Sequence, residues 1–166
     1  MMVALYLAAI VAANLSVATF GPSVTVLNAF LLIGFDFSCR DYLQGRWEGR
    51  QLWLRMVVLI AAVGLLSYVV NVNAGPIAIA STVSFVLASG SDALVFAAIG
   101  KRVGRFIRWN GTNVVGAVID SIIFPTLAFG SFLPAITAGQ IIAKIAGGLV
   151  WSVVIISVVS VRRRPA

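Results

Sequence analysis

Residues 134–164 read PAITAGQIIAKIAGGLVWSVVIISVVSVRRR, an apolar run interrupted by one lysine near its middle and ended by three arginines. A transmembrane helix needs about 20 mainly apolar residues, and this run is long enough to cross a bilayer. A proline at the first position suits a helix start, because the N–H that proline lacks would be unpaired there anyway. The stretch therefore predicts a spanning helix over residues 134–161 with a charge inside the membrane.

Working outward from this run, five further apolar segments have the length and character of membrane helices. They cover residues 1–19, 23–38, 52–70, 77–99 and 112–129. Pro125 lies inside the last of these, where it is expected to kink the helix or end its regular part. We expect an all-α integral membrane protein in which residues 1–166 form a single transmembrane domain, a bundle of six transmembrane helices.

The composition excludes most other classes of protein. Of the 166 residues, 61% are hydrophobic and 10% are charged, and the mean hydropathy is +1.07. Soluble domains carry about 45–50% apolar and about 25% charged residues. The chain has no histidine and one cysteine, Cys39, which excludes an intrachain disulfide and a metal site built on histidine and cysteine. The sequence contains no nucleophile–base set and no phosphate loop, so we expect neither an enzyme nor a cofactor.

The distribution of charge predicts an orientation. The formal net charge is +7, but the basic residues follow the second, fourth and sixth spans instead of forming a nucleic-acid-binding patch, so we expect no nucleic-acid partner. The other three turns are uncharged. Eleven of the twelve basic residues thus fall on one side, and the positive-inside rule then places both termini in the cytoplasm. We expect residues 40–55 to form a solvated loop and Asp36 to be interfacial.

Lys144 is the one basic residue outside this pattern. A charge at that depth costs at least about 2.5–3.5 kcal/mol, so it needs a partner or a water-filled cavity. Asp120 lies nine residues before Phe129, and Lys144 lies ten residues after Pro134. At 1.5 Å per residue, both are about 14 Å from the turn that joins the two helices. An Asp120–Lys144 pair, or a ligand shared between the two side chains, is the expected arrangement.

Polar and aromatic side chains on the same helix faces extend this candidate site. Together with small residues, they have the composition of a site for a small planar ligand. The further candidates are Asn113, Phe124, Gln140 and Trp151 near the pair, Phe85 and Asp92 on the fourth span, and Asn14 and Asn28 on the first two. Two alternatives stay open: the ion pair can serve only to fix helix register, and the amides can serve only as hydrogen-bond links between helices. The faces of small residues also allow association with a second copy.

Three stretches resemble the queuosine-precursor transporter family, part of the vitamin-uptake-transporter group. They are RDYLQGRW over residues 40–47, NGTNVVGAVIDSIIF over residues 110–124, and residues 140–144 with their intramembrane lysine. The chain departs from the family after the lysine: residues 147–152 read GGLVWS, where the family more often has an acidic residue and a proline.

The resemblance implies import of 7-cyano- or 7-aminomethyl-7-deazaguanine, a precursor for queuosine in tRNA, across the bacterial cytoplasmic membrane. A carboxylate such as Asp120 can accept two N–H bonds from a guanine-like edge. Lys144, Gln140 or Asn113 can donate to the carbonyl oxygen or a ring nitrogen. Phe124, Phe85 or Trp151 can stack on the flat ring.

Two other functions remain open at this point. One is a substrate-binding membrane subunit of a vitamin or nucleobase uptake system that needs a separate ATPase. The other is a membrane protein that transports nothing, in which the Asp120–Lys144 pair is purely structural. The sequence does not decide between proton coupling and facilitated diffusion.

Overall fold

The computed structural model describes residues 2–47, 52–99 and 104–162, and these ranges are almost entirely helical. Seven α-helices follow one another within these ranges. They are α1 (Met2–Phe20), α2 (Thr25–Asn28), α3 (Gly34–Arg46), α4 (Leu52–Val70), α5 (Gly75–Ile99), α6 (Arg105–Phe129) and α7 (Pro134–Arg162). Tight 3₁₀ turns at Gly21–Val24 and Val72–Ala74 precede α2 and α5, and a π-helical turn at Ala29–Ile33 joins α2 to α3.

Four stretches of the described chain are long and apolar enough to cross a membrane. They are Met2–Leu43, Val72–Ser91, Asn110–Phe129 and Pro134–Val158; α4 contributes a shorter apolar helix, Val57–Val70. The first stretch has 42 residues, about twice what one crossing requires, and contains two of the predicted spans. The all-helical, multi-pass membrane class is confirmed. The count of six crossings and the cytoplasmic termini stay predictions.

The first long stretch folds back on itself at the 3₁₀ turn. Gly21 has a φ of +68°, a backbone conformation that side chains with a Cβ rarely adopt. Beyond the turn, the Asn28 amide donates to the Ser16 hydroxyl at 2.6 Å and to the Ala13 carbonyl at 3.4 Å. Further along, α3 packs against the beginning of α1 around the buried Tyr6. The two halves therefore form an antiparallel helical hairpin.

Contacts between helices place the three short turns at one end of the bundle. Asn14, near the end of α1, bonds to Ser67, near the end of α4, at 3.1 Å, so these helices run in parallel. Val26, just after the first turn, packs on Gly139, just after the last turn. We call this the turn end of the bundle, and the opposite end the far end. The turn end holds Gly21–Val24, Val72–Ala74 and residues 130–133.

Most helix boundaries match the sequence-based prediction. α4 covers exactly 52–70, and α7 extends one residue beyond 161. α6 ends at Gly130, whose φ of +70° gives it the left-handed conformation of a C-terminal cap. The helix continues through Pro125 to Phe129, so the proline does not end it. α6 also begins earlier than predicted, at Arg105 instead of 112, because the hydropathy pattern misses its polar first turns.

The second span is where the prediction is wrong. Helix was expected to stop at 38 and give way to a solvated loop, but α3 continues to Arg46. Arg40 is 0% exposed, and Asp41 is also buried. Asp36, expected at the membrane interface, is buried as well. Polar partners on other helices surround these charges, and a hydropathy profile contains no information about such partners.

One helix crossing has almost no space for side chains. Gly34, directly after the π-helical turn, lies against the backbone of Gly147 on α7, and Gly147 lies against the carbonyl of Phe30 within the turn. A Cβ added at either glycine would overlap backbone atoms. Small residues of this kind let membrane helices approach closely. The crossing fixes the level of α7, and hence of Lys144, relative to the second helix.

Candidate functional site

A cavity opens in the middle of the bundle, between α1, the second helix of the hairpin, α5, α6 and α7. It contains about 600 Å³ of space free of protein atoms, a volume that includes the open surroundings of its mouth. Its polar and charged lining residues are Asn14, Thr25, Asn28, Asp36, Arg40, Ser81, Asp120, Gln140 and Lys144. Its aromatic lining residues are Phe37, Phe85 and Phe124, and small or aliphatic side chains complete the wall.

Lys144 and Asp120 meet on one side of this cavity. The Lys144 Nζ donates to Asp120 Oδ2 at 2.5 Å, to the Ser121 hydroxyl at 2.9 Å and to Gln140 Oε1 at 3.1 Å. The lysine is buried, whereas Asp120 is 15% exposed. All three hydrogens of the ammonium are thus used, which is how a buried charge avoids an unpaired desolvation cost. The depth match predicted for these two residues is confirmed.

Two other lining residues present hydrogen-bonding atoms without a partner. Asp36 Oδ1 and Gln140 Nε2 are both buried, and neither forms a hydrogen bond within the described part of the chain. One is an acceptor on α3 and the other is a donor on α7. An unpaired buried polar atom costs about 1–3 kcal/mol, so a ligand that satisfied both atoms would gain that energy on binding.

Arg40 also lines the cavity, and it lies farther along α3, toward the far end of the bundle, than Asp36 and Phe37. Its guanidinium carbon is 4.9 Å from the centre of the Phe37 ring and 5.4 Å from the centre of the Phe85 ring. Such distances are within the range of cation–π attraction. The guanidinium also donates to the Ser89 hydroxyl at 3.0 Å and to Asn113 Oδ1 at 3.4 Å.

Asn113 lies behind Arg40, one layer farther from the cavity. Its amide nitrogen donates to Asp41 Oδ2 at 2.7 Å, while its amide oxygen accepts from Arg40. The predicted role of Asn113 as a donor to a ligand therefore lacks support, because both ends of its amide are engaged and it does not line the cavity.

The structure brings together seven of the ten predicted site residues around the cavity. The seven are Asn14, Asn28, Phe85, Asp120, Phe124, Gln140 and Lys144. Trp151 lies away from the cavity and meets Phe35 edge to face, with ring centres 5.0 Å apart. Asp92 is on α5, but its side chain is outside the described part of the structure.

The sequence analysis did not predict that Asp36, Phe37 and Arg40 line the cavity. Asp36 and Arg40 are four residues apart, the spacing that places two side chains on one helix face. This signal was present, but the stretch was interpreted as a helix end followed by a loop because it contains several charges. The amides of Asn14 and Asn28 do link helices, through Ser67 and Ser16, while also lining the cavity.

A sequence family described as "Putative vitamin uptake transporter" matches the chain over residues 2–160. No curated protein and no solved structure matches it. The family match includes every helix that lines the cavity and both residues of the buried ion pair. The chain therefore belongs to the vitamin uptake transporter family.

Proposed function

We propose that this chain imports a queuosine precursor, 7-cyano- or 7-aminomethyl-7-deazaguanine, across the bacterial cytoplasmic membrane. Membership of the family supports transport, and the resemblance of residues 40–47, 110–124 and 140–144 supports this class of substrate. The central cavity is the proposed binding site.

The observation that carries the proposal is the set of groups around the cavity. A guanine-like edge presents N–H donors beside a carbonyl acceptor. Among the described residues, Gln140 Nε2 is a buried donor and Asp36 Oδ1 a buried acceptor, and neither atom has a hydrogen-bond partner within 3.5 Å. The Tyr6 hydroxyl lies beside Asp36, and both Asp36 and Gln140 face the same space. The partly exposed Asp120 supplies a second carboxylate, held in place by Lys144. Phe85 and Phe124 provide the ring faces on which a flat heterocycle stacks.

The direct test is uptake of labelled 7-cyano-7-deazaguanine by cells that lack their own carrier and express this chain alone. We expect uptake that saturates with concentration and is inhibited by the 7-aminomethyl compound. Absence of uptake, from protein shown to be in the membrane, would overturn the proposal. Uptake that appears only when an ATPase subunit is co-expressed would instead identify the chain as a subunit of a larger system.

A matched pair of phenylalanines tests the site itself. Phe85 lines the cavity, whereas Phe132 lies in the exposed turn before α7. For Phe85→Ala we expect the apparent Kd for the ligand to rise about tenfold, since an aromatic stack on a base contributes about 1–3 kcal/mol. Phe132→Ala should bind like the parent protein. Equal ligand affinity of the two variants would show that Phe85 does not contact the ligand.

A further inference from the structure

A second space lies next to the cavity and shares Lys144 with it. This groove is between α6 and α7 and contains about 710 Å³ free of protein atoms, open surroundings included. Lys144 lines both spaces, and Asn113 lines only the groove. The remaining lining residues of the groove are Ile107, Asn110, Gly111, Val114, Ile145, Gly148 and Leu149.

The groove lies nearer the far end of the bundle than the cavity does. On α6, Asn113 is seven residues before Asp120, which places it about 10 Å farther from the turn end at 1.5 Å per residue. On α7, Gly148 is four residues, about one helical turn, farther from the turn end than Lys144. The two spaces therefore follow one another along the bundle axis.

A layer of hydrogen bonds links three helices beside the two spaces. Arg40 on α3 bonds to Ser89 on α5 and to Asn113 on α6, and Asn113 bonds back to Asp41 on α3. Arg40 faces the cavity on one side of this layer, and Asn113 faces the groove on the other.

We infer that Arg40, Asp41, Ser89 and Asn113 form the inner gate of the transport path, and that the gate opens into the groove between α6 and α7. Separation of α3 from α6 frees the guanidinium and lets a ligand pass from the cavity into the groove. The inference rests on the proposed function, because a gate has meaning only in a transporter. The Phe37 and Phe85 rings, which hold the guanidinium by cation–π contact, then couple the gate to the occupied cavity.

Thiol labelling tests the gate without any substrate. Cys39 is the only cysteine of the chain, so Cys39→Ala gives a background without thiols. Ser81→Cys then reports on the cavity and Gly148→Cys on the groove, where an added Cβ has no neighbour within 4 Å. We expect a charged thiol reagent applied from the turn side to label the cavity position and not the groove position.

Opening the gate should change that result. With Asn113→Ala added, the groove cysteine should react with the same reagent from the same side. Asn73→Ala, at an exposed turn position, is the matched control and should leave the groove unlabelled. A groove cysteine that reacts equally with and without Asn113→Ala would overturn the gate.

Ser89→Ala, which removes only the Arg40–Ser89 bond, takes the place of Asn113→Ala in the labelling experiment if that variant fails to fold. A locked gate gives a second test, with uptake as its readout. Ser89 and Asn113 bond to the same guanidinium, so cysteines at these two positions lie within reach of a short bis-methanethiosulfonate reagent, which joins them through two disulfide bonds and releases methanesulfinate. Cross-linking should stop uptake of 7-cyano-7-deazaguanine and leave its binding intact, and reduction should restore uptake. Transport that continues in the cross-linked protein would contradict the gate. If the substrate is wrong, ligand binding fails in every variant while the labelling pattern still reports on the gate.

Discussion

At the scale of single residues, the buried charges are organised by partners that are distant in sequence. Lys144 and Asp120 were predictable as a pair because both depart from an apolar pattern at matching depths. Arg40 and Asp36 were not predicted, since a charge at the end of an apolar run looks the same in sequence whether it enters water or a cavity. Burial of Arg40 depends on the hydrogen-bond acceptors that Ser89 and Asn113 provide from other helices. No local sequence pattern reveals these partners.

The ion pair gives a prediction at this scale. Asp120→Asn should nearly abolish uptake while leaving protein in the membrane, because Ser121 and Gln140 still accept from the lysine. Asp120→Ala should also destabilise the fold, since breaking a buried pair costs about 3–5 kcal/mol. Uptake and membrane abundance of both variants are the measurements.

The double variant Asp120→Asn/Lys144→Gln separates binding from folding in the same experiment. It removes both charges and leaves amides that can bond to each other. We expect its abundance to approach that of the parent protein while uptake stays low. Normal uptake by the double variant would reduce the pair to a purely structural role.

At the scale of elements, the length of the apolar segments and the prolines and glycines at their ends predicted the helices well. The bounds of α4 and α7 were predicted to within one residue. The π-helical turn at Ala29–Ile33 was not predictable, because its residues, AFLLI, are those of any membrane helix. The backbone of the turn packs against Gly147 on α7. By adding a residue to one helical turn, the π-helical turn sets which face of α3 points into the cavity.

Two adjacent glycines test this crossing. Gly147→Ala would drive a methyl group into the Phe30 carbonyl, whereas Gly148→Ala meets nothing within 4 Å. Overpacking of this kind costs about 1–3 kcal/mol, so we expect a clearly lower Tm in detergent for Gly147→Ala and little change for Gly148→Ala. Uptake should fall only in the first variant, because a displaced α7 moves Lys144 and Gln140. Equal Tm values would show that the crossing has room to adjust.

At the scale of the whole molecule, the chain forms a bundle whose polar groups face inward and whose apolar side chains face outward. The large exposed apolar residues on α4, such as Leu54, Val58 and Val69, cover a surface that only lipid or another apolar partner can accept. Composition alone indicated this arrangement, because so few charges cannot cover a globule in water. The cavity could not be predicted in the same way, since it depends on how five helices pack.

The predicted orientation of the bundle rests on the distribution of charge. Burial of Arg40 lowers the count of basic residues on the far side by one and leaves the predicted orientation the same. Of the eleven basic residues assigned to one side, ten remain once Arg40 is placed inside the bundle. The turns at Gly21–Val24, Val72–Ala74 and residues 130–133 remain uncharged. The positive-inside rule then still places the far end in the cytoplasm.

Reporter insertions test that orientation. Alkaline phosphatase, active only outside the cytoplasm, should be active when inserted at Asn73 or Phe132, which are exposed in the turns. A green fluorescent reporter fused after residue 166 should be fluorescent, because it folds in the cytoplasm. Alkaline phosphatase that is active when fused to the C-terminus would show that the bundle has the opposite orientation. The proposed gate would then face the outside of the cell. With the predicted orientation, the cavity lies on the outer side of the gate, so a precursor would enter it from outside the cell and leave toward the enzymes that use it.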